Sequence, residues 1–284
     1  MIGQVVDIFK LRIGLFMAVT ALAGYAVTPG TSLGLTEILL LALVTIAASG
    51  AAGAFNQYME WDLDGLMSRT AGRPFVTGAV ARDRWWLWLI GAMLVVSVAL
   101  AGWIFNPAVA IHLFLGAFFY GVVYTLWLKR RTPWNIVIGG AAGSFAVLVG
   151  ASAADPGLSP VSVVLAIVLF LWTPPHFWAL AIAQREEYAR AGVPMLPVLR
   201  GDAATAKVIL LSTMLLVGVS LLPVFLGMGA LYLTGALAGG GYFLYRSVVL
   251  WRQPSASNAI GCFLASWVQL GLLMVVAILD VHVI

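Results

Sequence analysis

One stretch of the sequence reads Asn56-Gln-Tyr-Met-Glu60-Trp-Asp62-Leu-Asp64-Gly-Leu-Met-Ser-Arg69-Thr-Ala-Gly-Arg73-Pro74. Asn56, Glu60 and Asp64 recur every fourth residue, so on a continuing helix they form one stripe. Two carboxylates and a carboxamide on one face suit Mg2+, which takes one or two carboxylates and fills its octahedron with water and phosphate oxygens. Arg69 and Arg73 follow, again four apart, and the planar guanidinium fork matches phosphate. An acidic triplet alone reads as a solvated loop. Acids in register with an asparagine, followed by paired arginines, read as a metal–diphosphate site. A second stretch, Tyr124-Thr-Leu-Trp-Leu-Lys129-Arg130-Arg131-Thr132, ends on three bases. Such bases anchor a helix end at a membrane surface, and beside an acidic metal site they form a second diphosphate clamp. A third carries Pro174, Pro175 and His176, then Arg185, Glu186, Glu187 and Tyr188. The prolines predict a kink or unwinding. A histidine inside an apolar span is a functional candidate, with a bond to a proline-freed carbonyl as the competing role. His112 reads as structural and His282 as part of the tail.

The elements that must position these residues follow from composition. Of 284 residues, 62% are hydrophobic and 9% charged, with a mean hydropathy of +1.03. A soluble domain is about 45–50% apolar and about 25% charged, so a water-soluble fold and a disordered chain are both excluded. The single cysteine, Cys262, excludes a disulfide framework and a multi-cysteine metal site. Apolar runs able to cross a bilayer lie at 5–28, 35–58, 85–105, 107–128, 134–153, 160–182, 205–227, 229–250 and 257–280. Helices satisfy their own backbone groups in lipid. The expected fold is therefore an all-α integral membrane protein, one domain over 1–284 with nine transmembrane helices. With those spans, all 15 Lys and Arg fall on one side of the membrane. That side is cytoplasmic by the positive-inside rule, with the N-terminus inside and the C-terminus outside. The net charge of +4 thus reads as orientation and phosphate binding, with no nucleic-acid partner. The second and sixth connections are the long ones, and both hold acids beside bases; function concentrates in such loops.

Asn56-xxx-Glu60-x-Asp-x-Asp64 with Arg69-Thr and Arg73-Pro74 resembles the first acidic motif of the UbiA-type intramembrane prenyltransferases, and Tyr124-Thr to Lys129-Arg130-Arg131-Thr132 resembles their basic motif. Within that superfamily, Pro175-His176-Phe177, Arg185-Glu186-Glu187-Tyr188 and Ala191-Gly192-x-Pro194-Met195-Leu196-Pro197 resemble the branch whose acceptor is haem b. Glu60 stands where an aspartate is usual, and the second acidic motif is reduced, with neutral Gln184 and Tyr188 at its ends.

The resemblance implies a UbiA-type bundle in the bacterial inner membrane, with its active site towards the cytoplasm. Farnesyl diphosphate is then the donor and haem b the acceptor, and the product passes to a haem-modifying enzyme or a terminal oxidase assembly. It implies Mg2+ on Asn56, Glu60 and Asp64, and diphosphate on Arg69, Arg73, Lys129, Arg130 and Tyr124. His176 becomes an axial haem ligand or a group orienting acceptor or water. Arg185, Glu187 and Tyr188 serve a second Mg2+ or a haem propionate. A quinone-precursor or chlorophyllide prenyltransferase shares the first motif without Pro175-His176-Phe177. A secondary transporter has its site near the bilayer midplane, whereas these charges gather at one face.

Overall fold

The computed structural model describes residues 2–281; His282 lies outside them. All regular secondary structure among the described residues is helical. In chain order the elements are α1 (Ile2–Ile8), α2 (Leu11–Ala26), α3 (Leu35–Met59), α4 (Trp61–Asp64), α5 (Pro74–Thr77), α6 (Trp85–Ile104) and α7 (Pro107–Phe118), which continues as a π-helical segment, Phe119–Leu128. Then come α8 (Asn135–Gly139), α9 (Ala141–Ala154), α10 (Pro160–Ala183), α11 (Arg185–Arg190), α12 (Leu196–Ser220), α13 (Leu222–Phe225), α14 (Ala230–Arg252) and α15 (Ala256–Asp280).

Among the described residues, seven helical stretches are long and apolar enough to cross a membrane: Leu35–Met59, Trp85–Ile104, Pro107–Leu128, Asn135–Ala154, Pro160–Ala183, Asp202–Phe225 and Ala256–Asp280. Leu11–Ala26 is apolar but has only 16 residues, and Ala230–Arg252 carries Gly239, Gly240 and Arg246 in its body. Large apolar side chains such as Leu39, Trp88, Val95, Trp103 and Phe225 point outward from these rods, as an integral membrane protein requires.

Local chemistry starts several of them. Asn106 accepts from the Val109 amide (3.0 Å) ahead of Pro107, and Ser159 accepts from Ser162 (3.1 Å) ahead of Pro160. Proline at the first helical position gives up a donor that has no partner there. Helix α14 begins without a cap of its own. Asp280, buried at the end of α15, accepts from the amides of Gly229 (2.5 Å) and Tyr232 (3.0 Å).

Three expected boundaries change. The run over 5–28 is two helices, because Lys10 sits in the left-handed region at φ 47, ψ 45 between α1 and α2. The seventh expected span, 205–227, begins earlier, at Leu196, and is interrupted by Gly201 at φ 75, ψ 167. The kink expected at Pro174 and Pro175 does not break α10, which runs as one helix through both. Helices α9, α12 and α15 pack along it.

The tightest crossing is α2 on α9. A Cβ at Gly150 would collide with the Ala21 carbonyl, and one at Gly24 with that of Val147. These glycines let two backbones touch, the means by which helices associate where no water drives them together. Gly150→Ala is expected to destabilise the protein by about 1–3 kcal/mol through overpacking. Gly91→Ala, where an added Cβ meets nothing within 4 Å, serves as the matched control. Denaturant unfolding in detergent, read as midpoint shifts, separates the two.

Candidate functional site

Helix α3 ends at Met59, and Glu60 adopts φ −107, ψ 13 before α4 resumes. The joint keeps the helical register. The Glu60 amide donates to the Asn56 carbonyl (3.0 Å) and the Asp64 amide to the Glu60 carbonyl (2.8 Å). Asn56, Glu60 and Asp64 therefore share one side of a broken helix, at 2%, 2% and 3% exposure.

Each buried carboxylate is matched by a cation from another element. Arg73 pairs with Asp64, and Lys129 Nζ lies 2.5 Å from Glu60 Oε2. Arg73 arrives through the turn that leads into α5, a turn held by the Thr70 hydroxyl donating to the Asp64 carbonyl (2.9 Å). Lys129 arrives through the π-helical segment, whose closing bond runs from the Lys129 amide to the Tyr124 carbonyl (2.9 Å). Asn56 donates to Thr125 Oγ1 (2.9 Å) and accepts from Lys10 Nζ (2.6 Å). Burial, reinforced by Arg73, lowers the Lys10 ammonium to about 7. Burial also opposes the charge on Lys129, but the Glu60 carboxylate and its hydrogen bond outweigh that and raise Lys129 above its ordinary value.

These groups line a polar cavity of about 600 Å3, with Arg69, Tyr124 and Tyr188 also on its wall. A second, apolar cavity of about 250 Å3 runs into the bundle, past Phe16, Ala48, Phe145 and Trp172. Lys10, Tyr120, Gly139 and Phe177 belong to both walls, so the polar cavity and the apolar one adjoin there. A Cβ at Gly139 would strike the Tyr124 ring, and Tyr124 stacks on Tyr120 with centroids 5.7 Å apart. Among the described residues no three acidic, histidine or cysteine side chains cluster as metal ligands. The set on offer is two carboxylates and one carboxamide oxygen. Glu60 Oε1 is buried with no hydrogen-bond partner, a free oxygen aimed into the site, so the residues fit one hard divalent cation.

The structure brings Asn56, Glu60, Asp64, Arg69, Arg73, Tyr124, Lys129 and Tyr188 together. Three other expected residues lie elsewhere. Arg130 makes a bidentate pair with Asp62 (2.8 and 2.9 Å) on the exposed surface, which also lowers the Asp62 pKa. Arg185 pairs with Asp202 at 3.3 Å. Glu187 accepts from the Ser68 amide (3.0 Å) and hydroxyl (2.5 Å), tying the second connection to the sixth. Each is engaged by a nearer partner outside the cavity. His176 lies apart from the acids, on the apolar wall, between the stacked rings of Trp172 and Phe263. Its Nδ1 is 2.6 Å from Ser266 Oγ, and that hydroxyl donates to the Phe263 carbonyl (2.6 Å). A hydroxyl has one proton, so Nδ1–H is the donor to Ser266 and Nε2 keeps its lone pair. His112 also lines the apolar cavity, bonded to Ser152 at 2.9 Å. Lys10 and Tyr120 went unnoticed as site residues in the sequence, because Lys10 reads there as a topology charge and Tyr120 as one more aromatic.

Residues 17–270 match the UbiA prenyltransferase family. The chain is 53% identical to protoheme IX farnesyltransferase 2 of Paramagnetospirillum magneticum, over 96% of this chain and 95% of that protein. Its fold is similar to that of a solved digeranylgeranylglyceryl phosphate synthase, at a TM-score of 0.82 and 17% identity over 100% of this chain and 99% of that one. It is also similar to a UbiA homologue from Archaeoglobus fulgidus bound to DMAPP and Mg2+, at a TM-score of 0.74 and 16% identity over 99% and 100% of the two chains.

The contact between Glu187 and Ser68 generates a prediction. Glu187→Ala leaves the cavity wall intact but removes the tie between the two connections. Amide hydrogen exchange over residues 61–77 is expected to accelerate, at the low-stability end where loops open locally, while exchange in α10 stays unchanged. Equal protection in both proteins would show that the tie is not what orders the connection.

Proposed function

The chain belongs to the UbiA prenyltransferase family, and from that membership we propose that it transfers a farnesyl group from farnesyl diphosphate to a vinyl group of haem b, giving haem O and diphosphate. The observation that carries this reading is the meeting of two cavities. A polar one lined by paired carboxylates and cations shares its wall with an apolar one that can take an isoprenoid chain. The name of the relative at 53% identity chooses the acceptor.

In this reading Asn56, Glu60 and Asp64 would hold Mg2+, which when bound neutralises part of the leaving group's charge. Arg69, Arg73 and Lys129 bind the diphosphate oxygens, and the Tyr124 hydroxyl lies on the same wall. Arg73 and Lys129 pair with carboxylates without the donor substrate; a diphosphate with about three negative charges gives them a stronger partner. The C–O bond of the allylic diphosphate breaks with its electron pair on oxygen. Fixed cations stabilise that charge as it develops, generally the largest catalytic contribution. The apolar wall keeps water from the allylic cation until the haem vinyl group attacks. Water then adds to the new cation beside the porphyrin and loses a proton. His176, with Nε2 bare, contacts the haem as an iron ligand or a hydrogen-bond acceptor. Arg130 holds Asp62 and takes no part in phosphate binding. Glu187 joins the two long connections, and Tyr188 closes the polar wall between them.

We extend the proposal to topology. Counting Leu11–Ala26 and Ala230–Arg252 with the seven longer apolar stretches gives nine crossings. The bases then all face one side, cytoplasmic by the positive-inside rule, in a bacterial inner membrane.

Membranes holding the protein, incubated with farnesyl diphosphate, Mg2+ and haem b, are expected to yield haem O by mass spectrometry of extracted porphyrins. Asp64→Asn should lower the rate by about a hundredfold or more, the scale for losing a group that stabilises developing charge, with normal membrane insertion. Near-normal haem O from that variant would sink the metal assignment. His176→Ala is expected to weaken haem binding in a spectral titration; an unchanged spectrum and affinity would remove the haem contact and leave the transferase reading in place.

A further inference from the structure

Lys10 is built into the site at the expense of local backbone geometry. It is one of two non-glycine residues with positive φ among those described, at φ 47, ψ 45. Such conformations persist where the surroundings over-determine them, and they gather at functional sites. Capping does not explain this one, since the Lys10 side chain makes no cap bond to α2. Its stem instead crosses the face of α3 at Gly53, where an added Cβ would come within 3.3 to 3.4 Å of the Lys10 side-chain carbons. The ammonium ends 2.6 Å from Asn56 Oδ1 and 3.0 Å from the Tyr120 hydroxyl. Among the described residues the ion pairs join Arg73 to Asp64, Lys129 to Glu60, Arg130 to Asp62 and Arg185 to Asp202. Lys10 is in none of them. It is an amine turned inward, against neutral oxygens, on the wall that both cavities share, where a bound phosphate would hold it protonated.

A prenyl diphosphate has its charge at one end and its chain at the other, so the atoms at that shared wall are the first phosphate and the allylic carbon. Resting on the proposed prenyl transfer, we propose that Lys10 is a donor-binding residue whose ammonium holds the phosphate nearest the allylic carbon. When the C–O bond breaks, the electron pair stays on the phosphate oxygen facing Lys10, and Lys10 keeps its proton. The Tyr120 hydroxyl then aims the ammonium at that oxygen, and Gly53 leaves the room for its stem.

The test uses the full-length protein in detergent with Mg2+ and inorganic pyrophosphate as the probe, read by calorimetry. Lys10→Met is expected to weaken pyrophosphate binding by about ten- to a hundredfold, the scale of one charge-assisted hydrogen bond. Lys10→Arg should recover part of the loss. Gly53→Ala keeps the charge but displaces the stem, and should weaken binding by a smaller factor. Haem affinity in a spectral titration should be the same in all three variants, which a merely structural Lys10 would not produce. Wild-type pyrophosphate affinity in Lys10→Met would overturn the proposal and leave the transferase reading untouched. No pyrophosphate binding by the wild type would overturn both. If Lys10→Met fails to fold, the Gly53→Ala measurement decides alone, and unchanged affinity there counts against the proposal.

Discussion

The site depends on one electrostatic constraint: Glu60 and Asp64 are carboxylates placed almost out of reach of water at the end of an apolar helix. A buried charge left alone is costly enough that it is neutralised or paired. Here the partners come from distant parts of the chain, Lys129 from the end of the π-helical segment and Arg73 from the turn before α5. Satisfying two acids therefore fixes where these two elements sit relative to α3. The same pairs hold two cations on the wall of the polar cavity, where the proposed diphosphate would meet them.

Much of the site was legible in the sequence because it rests on spacing. The repeat of four between Asn56, Glu60 and Asp64 survives the break at Glu60, since the carbonyl-to-amide register continues across it. Arg69 and Arg73 follow the same arithmetic. The rods were legible because apolar run length sets them. What stayed hidden depends on tertiary partners. The lysine φ of 47 ends one helix and starts another within a single apolar run, with no glycine to mark it. Glu187 and Arg130 carry the right charge for a site and are held outside it by Ser68 and Asp62. Pro174 and Pro175 predict a break by local rules, yet α10, packed against three neighbouring helices, runs continuous.

The π-helical segment links shape to chemistry. Its wider turn brings the Tyr120 and Tyr124 rings into a stack at 15° and delivers Lys129 to Glu60. Such segments are rare and frequently mark functional sites. The room for those rings comes from Gly139 on the facing element, where any side chain would meet Tyr124. Polar wall, aromatic junction and apolar depth thus adjoin, drawn from α2, α3, α7 with its π-helical continuation, α8, α9, α10 and α15.

The carboxylate of Asp280 sets a schedule for synthesis. It completes the start of α14 across a separation of 51 residues to Gly229 and 48 to Tyr232. At about 5–20 residues per second, the ribosome makes Asp280 roughly 3–10 s after those amides. For that interval the first turn of α14 has donors with no side-chain acceptor. The start of the penultimate helix thus waits on the end of the last one. A chain cut a few residues short of Asp280 would leave the amides of Gly229 and Tyr232 without that acceptor, at a cost of about 1–3 kcal/mol at the start of the penultimate helix.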